Sequence, residues 1–389
     1  MIMGTQSASQ YIATADQPGS QPIMRWRAAM AGSQEQAFAQ LRTAYQESWP
    51  TQGELIFTGA CEFACQHCIY APSFTKHNRG LSTEAWGRVI GDMGDGLGIN
   101  TFVYGGRSVT SDGIDVLTQL RKRKPDAHIG LIDNGISMLP VRERLAELVP
   151  DWIDISLDGE EKEHDLQRGR NGSYRAGFEG ALWLVRNGVA PKVNILSCLT
   201  TINQHSIIPM IRELNERGFK NFFITPVTIV DGTRPSFGLQ LSDEELAVFV
   251  DRLRTALDLF DDAWVEINLF SATYAENIAR LMPEIWRRFS PDRDGLVWRE
   301  ENAAQSETEL FIRYNPVSLT GTRELIVNTN GDVIVPKSMA QGKVAQHDVV
   351  GNLLRNHAQK IVEGLPLSPA FDFYWQEFMC EKSLLKEYW

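Results

Sequence analysis

The sequence predicts an α/β protein, a partial (β/α)6 barrel followed by a small α+β extension made of a β-hairpin and helices. Three observations carry this. From Glu54 onward, strand-like and helix-like patterns alternate in regular order, and six such units mean parallel strands joined by right-handed crossovers. After residue 240 the alternation stops. The chain has 389 residues, 43% hydrophobic and 22% charged, which is long for one ordinary domain and rich in core material.

The expected strands are 54–58, 100–104, 128–132, 152–157, 192–199 and 221–225, with helices at 82–95, 110–122, 140–148, 173–187 and 206–217. Ser82 before Glu84, and Ser242 before Glu244 and Glu245, mark helix starts with acids in the first turn. Beyond 240, residues 242–258 and 273–288 read as helices and 264–269 as a strand. The polar, charged stretch 290–308 reads as a loop. Arg323 to Pro336 is two alternating runs joined through Asn330-Gly331, a β-hairpin. Val350-Gly351-Asn352-Leu353 leads into a helix ending near Glu363, and the aromatic segment from Phe371 to Cys380 reads as a terminal helix. Residues 1–23 are polar and read as an arm. The chain thus divides into an N-terminal arm and helix over 1–50, a barrel core over 51–240 and an extension over 241–389.

Acids outnumber Lys and Arg by 49 to 38, a net charge of −11, which argues against nucleic acid as a partner. No apolar run approaches the roughly 20 residues that span a bilayer, so no membrane is expected. Five cysteines, an odd number, with no apolar N-terminal signal, give a reducing, cytoplasmic profile.

Three of those cysteines, Cys61, Cys65 and Cys68, stand in CxxxCxxC spacing directly after the first strand. Three thiolates on one loop hold three irons of a cubane cluster and leave the fourth iron open, the mark of a catalytic metal site. A zinc site wants four ligands, and His67, lodged between two of the cysteines, closes a tetrahedron poorly. The carboxyl ends of parallel barrel strands carry the active site, and the cysteine loop lies at that end.

This stretch resembles the radical SAM superfamily, and the resemblance extends over roughly residues 50–365. It implies a TIM-like partial barrel, one [4Fe-4S] cluster and S-adenosylmethionine chelating the open iron. An electron from a flavodoxin- or ferredoxin-type reductant would then release a 5′-deoxyadenosyl radical. The resemblance also implies site residues. His67 and Tyr70, with Phe74, lie beside the adenine or simply pack the loop. Gly105 and Gly106 bring the backbone close to the methionine amino group. Arg107 stands where the family often has an acid, and either faces the substrate's carboxylate or phosphate or makes a surface ion pair. Ser156 and Asn194 lie near the ribose, and Arg168 pairs with the cosubstrate carboxylate. Asp158 shares the face of Ser156 or caps a turn. Cys198 reads either as a small core hydrophobe or as a hydrogen-atom donor.

The C-terminal region resembles a SPASM or twitch extension. Lys337 follows Pro336 where the family usually has a cysteine, and only Cys198 and Cys380 remain after Cys68, so a single cluster is expected. Radical chemistry on a small polar metabolite (a sugar, aminosugar or nucleoside) is the favoured function, with a redox-neutral elimination, rearrangement or epimerisation. A ribosomal-peptide maturase is the alternative, since such relatives often carry a leader-binding domain that about 50 residues do not accommodate. A non-catalytic iron–sulfur carrier or sensor is the third reading.

Overall fold

The structure, a computed structural model, describes residues 21–70, 80–105, 108–229, 237–292, 295–300, 307–336 and 345–389. Its centre is the expected run of parallel strands: β1 (Gln52–Ile56), β2 (Thr101–Gly105), β3 (His128–Asp133), β4 (Trp152–Ser156), β5 (Lys192–Leu199) and β6 (Asn221–Pro226). They pair in sequence order, each with the next.

Their burial alternates residue by residue. In β4, Ile153 and Ile155 are buried while Trp152, Asp154 and Ser156 are half-buried, and β6 repeats the pattern. The buried row joins the core with the crossover helices, for instance Val89 and Met93 of Thr83–Leu97 and Leu117 of Ser111–Arg123. The other row faces the lumen and is half-buried, with Asp154, Ser156 and Thr225 beside Trp152 and Phe223. A period of two with one apolar and one polar face is what a half-covered sheet demands. Ser82 caps Thr83–Leu97, its hydroxyl accepting from the Ala85 N–H at 3.2 Å, and Ser242 with Glu245 closes a capping box on Asp243–Thr255.

Residues after 240 enlarge the same sheet. Strand β7 (Trp264–Leu269) lies parallel beside β6, and a later strand, Glu309–Tyr314, lies parallel beside β7. On the opposite edge the first strand of the hairpin, Glu324–Val327, lies parallel beside β1, and Asp332–Ile334 returns antiparallel to it. Gly331 turns the hairpin at φ 84°, a left-handed conformation that favours glycine.

The structure differs from the expectation at three places. The stretch 290–308 contains strands Ser290–Pro291 and Leu296–Arg299, the latter antiparallel to Glu309–Tyr314. Leu296 and Trp298 point inward there and are almost fully buried, while Val297 between them is half-buried and Arg299 after them is exposed. Val349–Asn352 forms a further antiparallel strand, and the helix Ala358–Gly364 begins only afterwards. A Cβ on Gly351 would sit 2.7 Å from Ile361, so glycine lets that helix lie on the strand. The third difference is an additional helix, Glu161–Arg168, between β4 and the helix Ser173–Arg186.

Two helices, Gln21–Ala31 and Gln34–Glu47, precede β1, and the terminal helix Phe371–Leu385 packs on them. Glu381 links the two ends of the chain: it accepts from the Trp26 indole N–H at 2.7 Å and from the Ser318 N–H at 3.1 Å. Burial lifts its pKa to about 7, against the pull of those donors. Glu381→Ala is expected to strand both donors in the interior at roughly 1–3 kcal/mol each, seen as a lower urea midpoint at pH 6. A carboxyl raised on folding favours the native state most below its unfolded pKa and loses that contribution as pH rises through about 7. Glu381→Gln should therefore flatten the decline in stability across that window.

Candidate active site

The cysteine loop leaves the end of β1 and is held from below by the helix Glu161–Arg168. The Gln66 N–H donates to the Gln167 carbonyl at 2.8 Å, and the Gln66 side chain donates to the Leu166 carbonyl at 2.9 Å. Gly169, at φ 66°, ends that helix with its Cα against the Ala64 backbone, where a Cβ would sit 3.0 Å from the Ala64 oxygen. Cys65 is buried, and Cys61 and Cys68 are half-buried; all three are free thiols.

Beside Cys65 lies a buried ion pair. Arg168 Nε donates to Asp158 Oδ2 at 2.6 Å, and Arg168 Nη1 lies 4.0 Å from Cys65 Sγ. Asp158 is fully buried, and its Oδ1 accepts from the Cys198 N–H at 2.8 Å. Burial works to raise the Asp158 pKa, but the Arg168 guanidinium, with His67 and His164, holds it at about 2. Asp158 is thus an ionised pivot between β4, β5 and the cysteine loop, with no turn-capping bond from its carboxylate among the described residues. His67 Nε2 lies 3.7 Å from the same carboxylate. Burial lowers the His67 pKa to about 4, so the ring is neutral, and its Nδ1 is buried without a partner. His164 is also neutral: its Nδ1 accepts from the Asp158 N–H at 3.0 Å, which fixes the ring proton on Nε2.

Cys198 stands at the carboxyl end of β5 on the lumen side. Its carbonyl accepts from Gln167 at 2.8 Å and from Asn203 at 2.7 Å. Burial and the nearby Asp158 charge push the thiol's pKa well up, so it stays S–H. Gln167 and Asn203, both fully buried, were not singled out in the sequence. Their only signal there is proximity to Arg168 and to the end of β5.

The remaining expected residues spread along the lumen. Tyr70 packs with Ile56, Ile326 and Ile334, next to Cys68. Ser156 ends β4 on the lumen face, and Asn194 lies one residue pair deeper, its Nδ2 donating to Asp154 Oδ1 at 2.7 Å. Gly105 ends β2, and its missing Cβ leaves room for the Glu54 side chain 2.5 Å from where that atom would be. Gly106, Arg107, Phe74 and Lys337 lie outside the described residues.

The donor set fits an iron–sulfur cubane. Among the described residues no three His, Cys, Asp or Glu side chains converge on a point as a single zinc ion would need. A cubane instead takes each thiolate at a separate iron corner. The neutral His67 ring and its unpartnered nitrogen leave a polar edge beside that loop.

Residues 55–230 match the family described as the Radical SAM superfamily. The matched segment, just under half of the chain, is a radical SAM domain. Its cofactors are accordingly a [4Fe-4S] cluster and S-adenosylmethionine. The pre-heme d1 synthase of Dinoroseobacter shibae is 26% identical over 170 residues, which are 43% of this chain and 41% of that protein. The match therefore spans about two-fifths of that curated relative. Streptococcus suis SuiB, solved with its precursor peptide SuiA, superposes with a TM-score of 0.61 at 13% identity, over 86% of this chain and 68% of SuiB. The enzyme anSMEcpe with bound AdoMet superposes at 0.56 and 13% identity, over 83% of this chain and 82% of that one. These structural likenesses establish a shared fold. No helix among the described residues is long and apolar enough to cross a membrane.

Proposed function

We propose that this radical SAM chain acts on a small polar metabolite bound in the lumen, with a redox-neutral elimination, rearrangement or epimerisation as the outcome. The observation that carries this reading is the half-buried inner row of β4 and β6, which carries Asp154, Ser156, Asn221 and Thr225. In this reading Cys61, Cys65 and Cys68 each hold one iron. Bound and reduced, the cofactors would supply one-electron chemistry that removes a hydrogen atom from the substrate.

The chain's own residues place the partners. Arg168 is fixed through Nε by Asp158, which leaves its other nitrogens facing Cys65 and the cosubstrate carboxylate. His67 lies beside the adenine, Gly105 beside the methionine amino group, and Ser156 along the ribose, while Asn194 lies a rung deeper, bonded to Asp154. Cys198 keeps its proton and offers a weak S–H bond to a substrate carbon radical. The thiyl radical left behind needs one electron and one proton, which the flavodoxin- or ferredoxin-type reductant and solvent supply. The extension after 240 is read as a SPASM-like scaffold without an auxiliary cluster.

A peptide substrate is the second reading, favoured by the superposition on SuiB, whose structure holds a precursor peptide. The test is 5′-deoxyadenosine formation by anaerobically reconstituted, dithionite-reduced protein. It is run with a panel of aminosugars, sugars and nucleosides beside a panel of peptides. Stimulation by a metabolite supports the first reading and stimulation by peptides the second. No product from a fully loaded cluster leaves the carrier or sensor reading.

A further inference from the structure

One rung of the lumen carries polar atoms that the fold leaves unused. Asp154, Asn194, Asn221 and Trp264 lie side by side across β4 to β7 in direct register. Asn194 is 7% exposed and Trp264 6%. The Asn194 Oδ1 acceptor and the Trp264 Nε1 donor are both buried with no partner. An unmet buried donor or acceptor costs roughly 1–3 kcal/mol, and here one of each lies on the same face of the same rung. The Trp264 ring is locked by stacking on Phe311 at 3.9 Å between centroids, so its N–H has a fixed direction.

Glu54 faces the same lumen from β1, on the next same-face row toward the strand starts, level with Val103, Gly130 and Trp152, and its carboxyl lies against Gly105. Protein encloses it, yet it is only half-buried because the lumen reaches it. Among the described residues it has no hydrogen-bonding or cationic partner, and burial together with neighbouring Glu324 pushes its pKa well above the carboxylate range. Asp154 has Asn194 and Trp152 as partners, and burial raises it to about 7. Nearer the mouth, Asp158 and Cys198 lie four residues further along β4 and β5, roughly 13 Å by strand rise. A compact polar molecule spans that depth.

We propose that this rung and the neighbouring Glu54 form the far end of the substrate site, taking a primary ammonium at Glu54 and a neutral hydroxyl or amide at Asn194 and Trp264. The inference rests on the lumen being the substrate face and narrows the substrate to an amine-bearing polar molecule. Binding turns the Glu54 acid into a carboxylate under a charge-assisted hydrogen bond, and one proton is released to solvent. The ammonium belongs to an aminosugar or to a lysine side chain of a peptide, and the probes separate the two.

The test uses cluster-loaded protein with saturating S-adenosylmethionine and no reductant, read by titration calorimetry. D-glucosamine is compared with D-glucose, and N-acetyl-Gly-Lys-Gly-amide with N-acetyl-Gly-norleucine-Gly-amide. The expected result is binding of one amine at least about tenfold tighter than its neutral counterpart. Glu54→Gln, which copies the shape of the neutral acid, should erase that preference. Trp264→Phe should weaken amine and neutral probe alike and leave the preference intact. Near-UV circular dichroism reports whether each variant keeps its packing. Equal binding of amine and neutral probes, or a preference that survives Glu54→Gln, overturns the proposal. So does a preference that appears only without S-adenosylmethionine, because the carboxyl then serves the cosubstrate's own ammonium. No radical chemistry enters this readout, so its failure and that of the catalytic reading are told apart.

Discussion

Cys65→Ala is expected to abolish 5′-deoxyadenosine formation, by ~10³-fold or more, the scale of losing an indispensable catalytic group. Cys65 is the buried member of the three, with the Arg168 guanidinium beside its sulfur. Burial pushes its pKa up, and the Arg168 charge works the other way, toward the thiolate that iron needs. Without it two irons of a cubane lack protein ligands. Iron and sulfide content after reconstitution should fall together with the product. Cys380→Ala is the control: Cys380 is exposed on the terminal helix and should leave cluster loading and product formation unchanged. A Cys65→Ala protein that kept both a full cluster and its product would remove Cys65 from the ligand set.

Asp158→Asn carries the second large effect, on stability. The carboxylate is fully buried and its main partner is the nearly buried Arg168. Breaking one side of a buried pair leaves a charge without compensation, at roughly 3–5 kcal/mol. Asparagine keeps the shape and an acceptor for the Cys198 N–H, so the loss isolates the charge. The pH dependence has a definite sign. The carboxyl is lowered from 3.8 to about 2 on folding, so its contribution is present above 3.8 and disappears as pH falls through about 2. Linkage makes that contribution about 2 kcal/mol. Urea unfolding of the native protein from pH 6 down to pH 2 should show this loss, and Asp158→Asn should not. An unchanged acid limb in the variant would mean that other carboxylates govern it. Arg168→Met should destabilise by a similar amount, and the double variant should cost less than the two single changes added together.

The central strands were legible because each alternates apolar and polar residues and is bounded by turn residues. Trp152-Ile-Asp-Ile-Ser156 is typical, and its observed span falls within the expected one. The cysteine spacing was legible as chemistry without any fold. The helix Glu161–Arg168 was not, because its inward residues are His164, Gln167 and Arg168 while its one large apolar residue, Leu166, is 55% exposed. An amphipathic pattern is sought in apolar side chains, and this helix buries polar ones to support the cysteine loop. Glu54 was read as part of an apolar strand. Its meaning depends on Gly105 and Glu324, neighbours that only sheet pairing supplies. The hairpin at 324–334 was legible locally, but its parallel union with β1 was not, since nothing in either segment names the other.

That union bears on how the chain must be made. During synthesis β1 emerges among the first elements, and the strand that covers its outer side, Glu324–Val327, emerges among the last. The far side of β6 is likewise covered only once Trp264–Leu269 has appeared. Until then the nascent barrel presents two raw edges, each a row of unpaired N–H and C=O groups that invites pairing with another chain. A chain stopped near residue 240 would carry those edges permanently and should aggregate rather than fold, so the cysteine loop gains a durable scaffold only once Glu324–Val327 has been made.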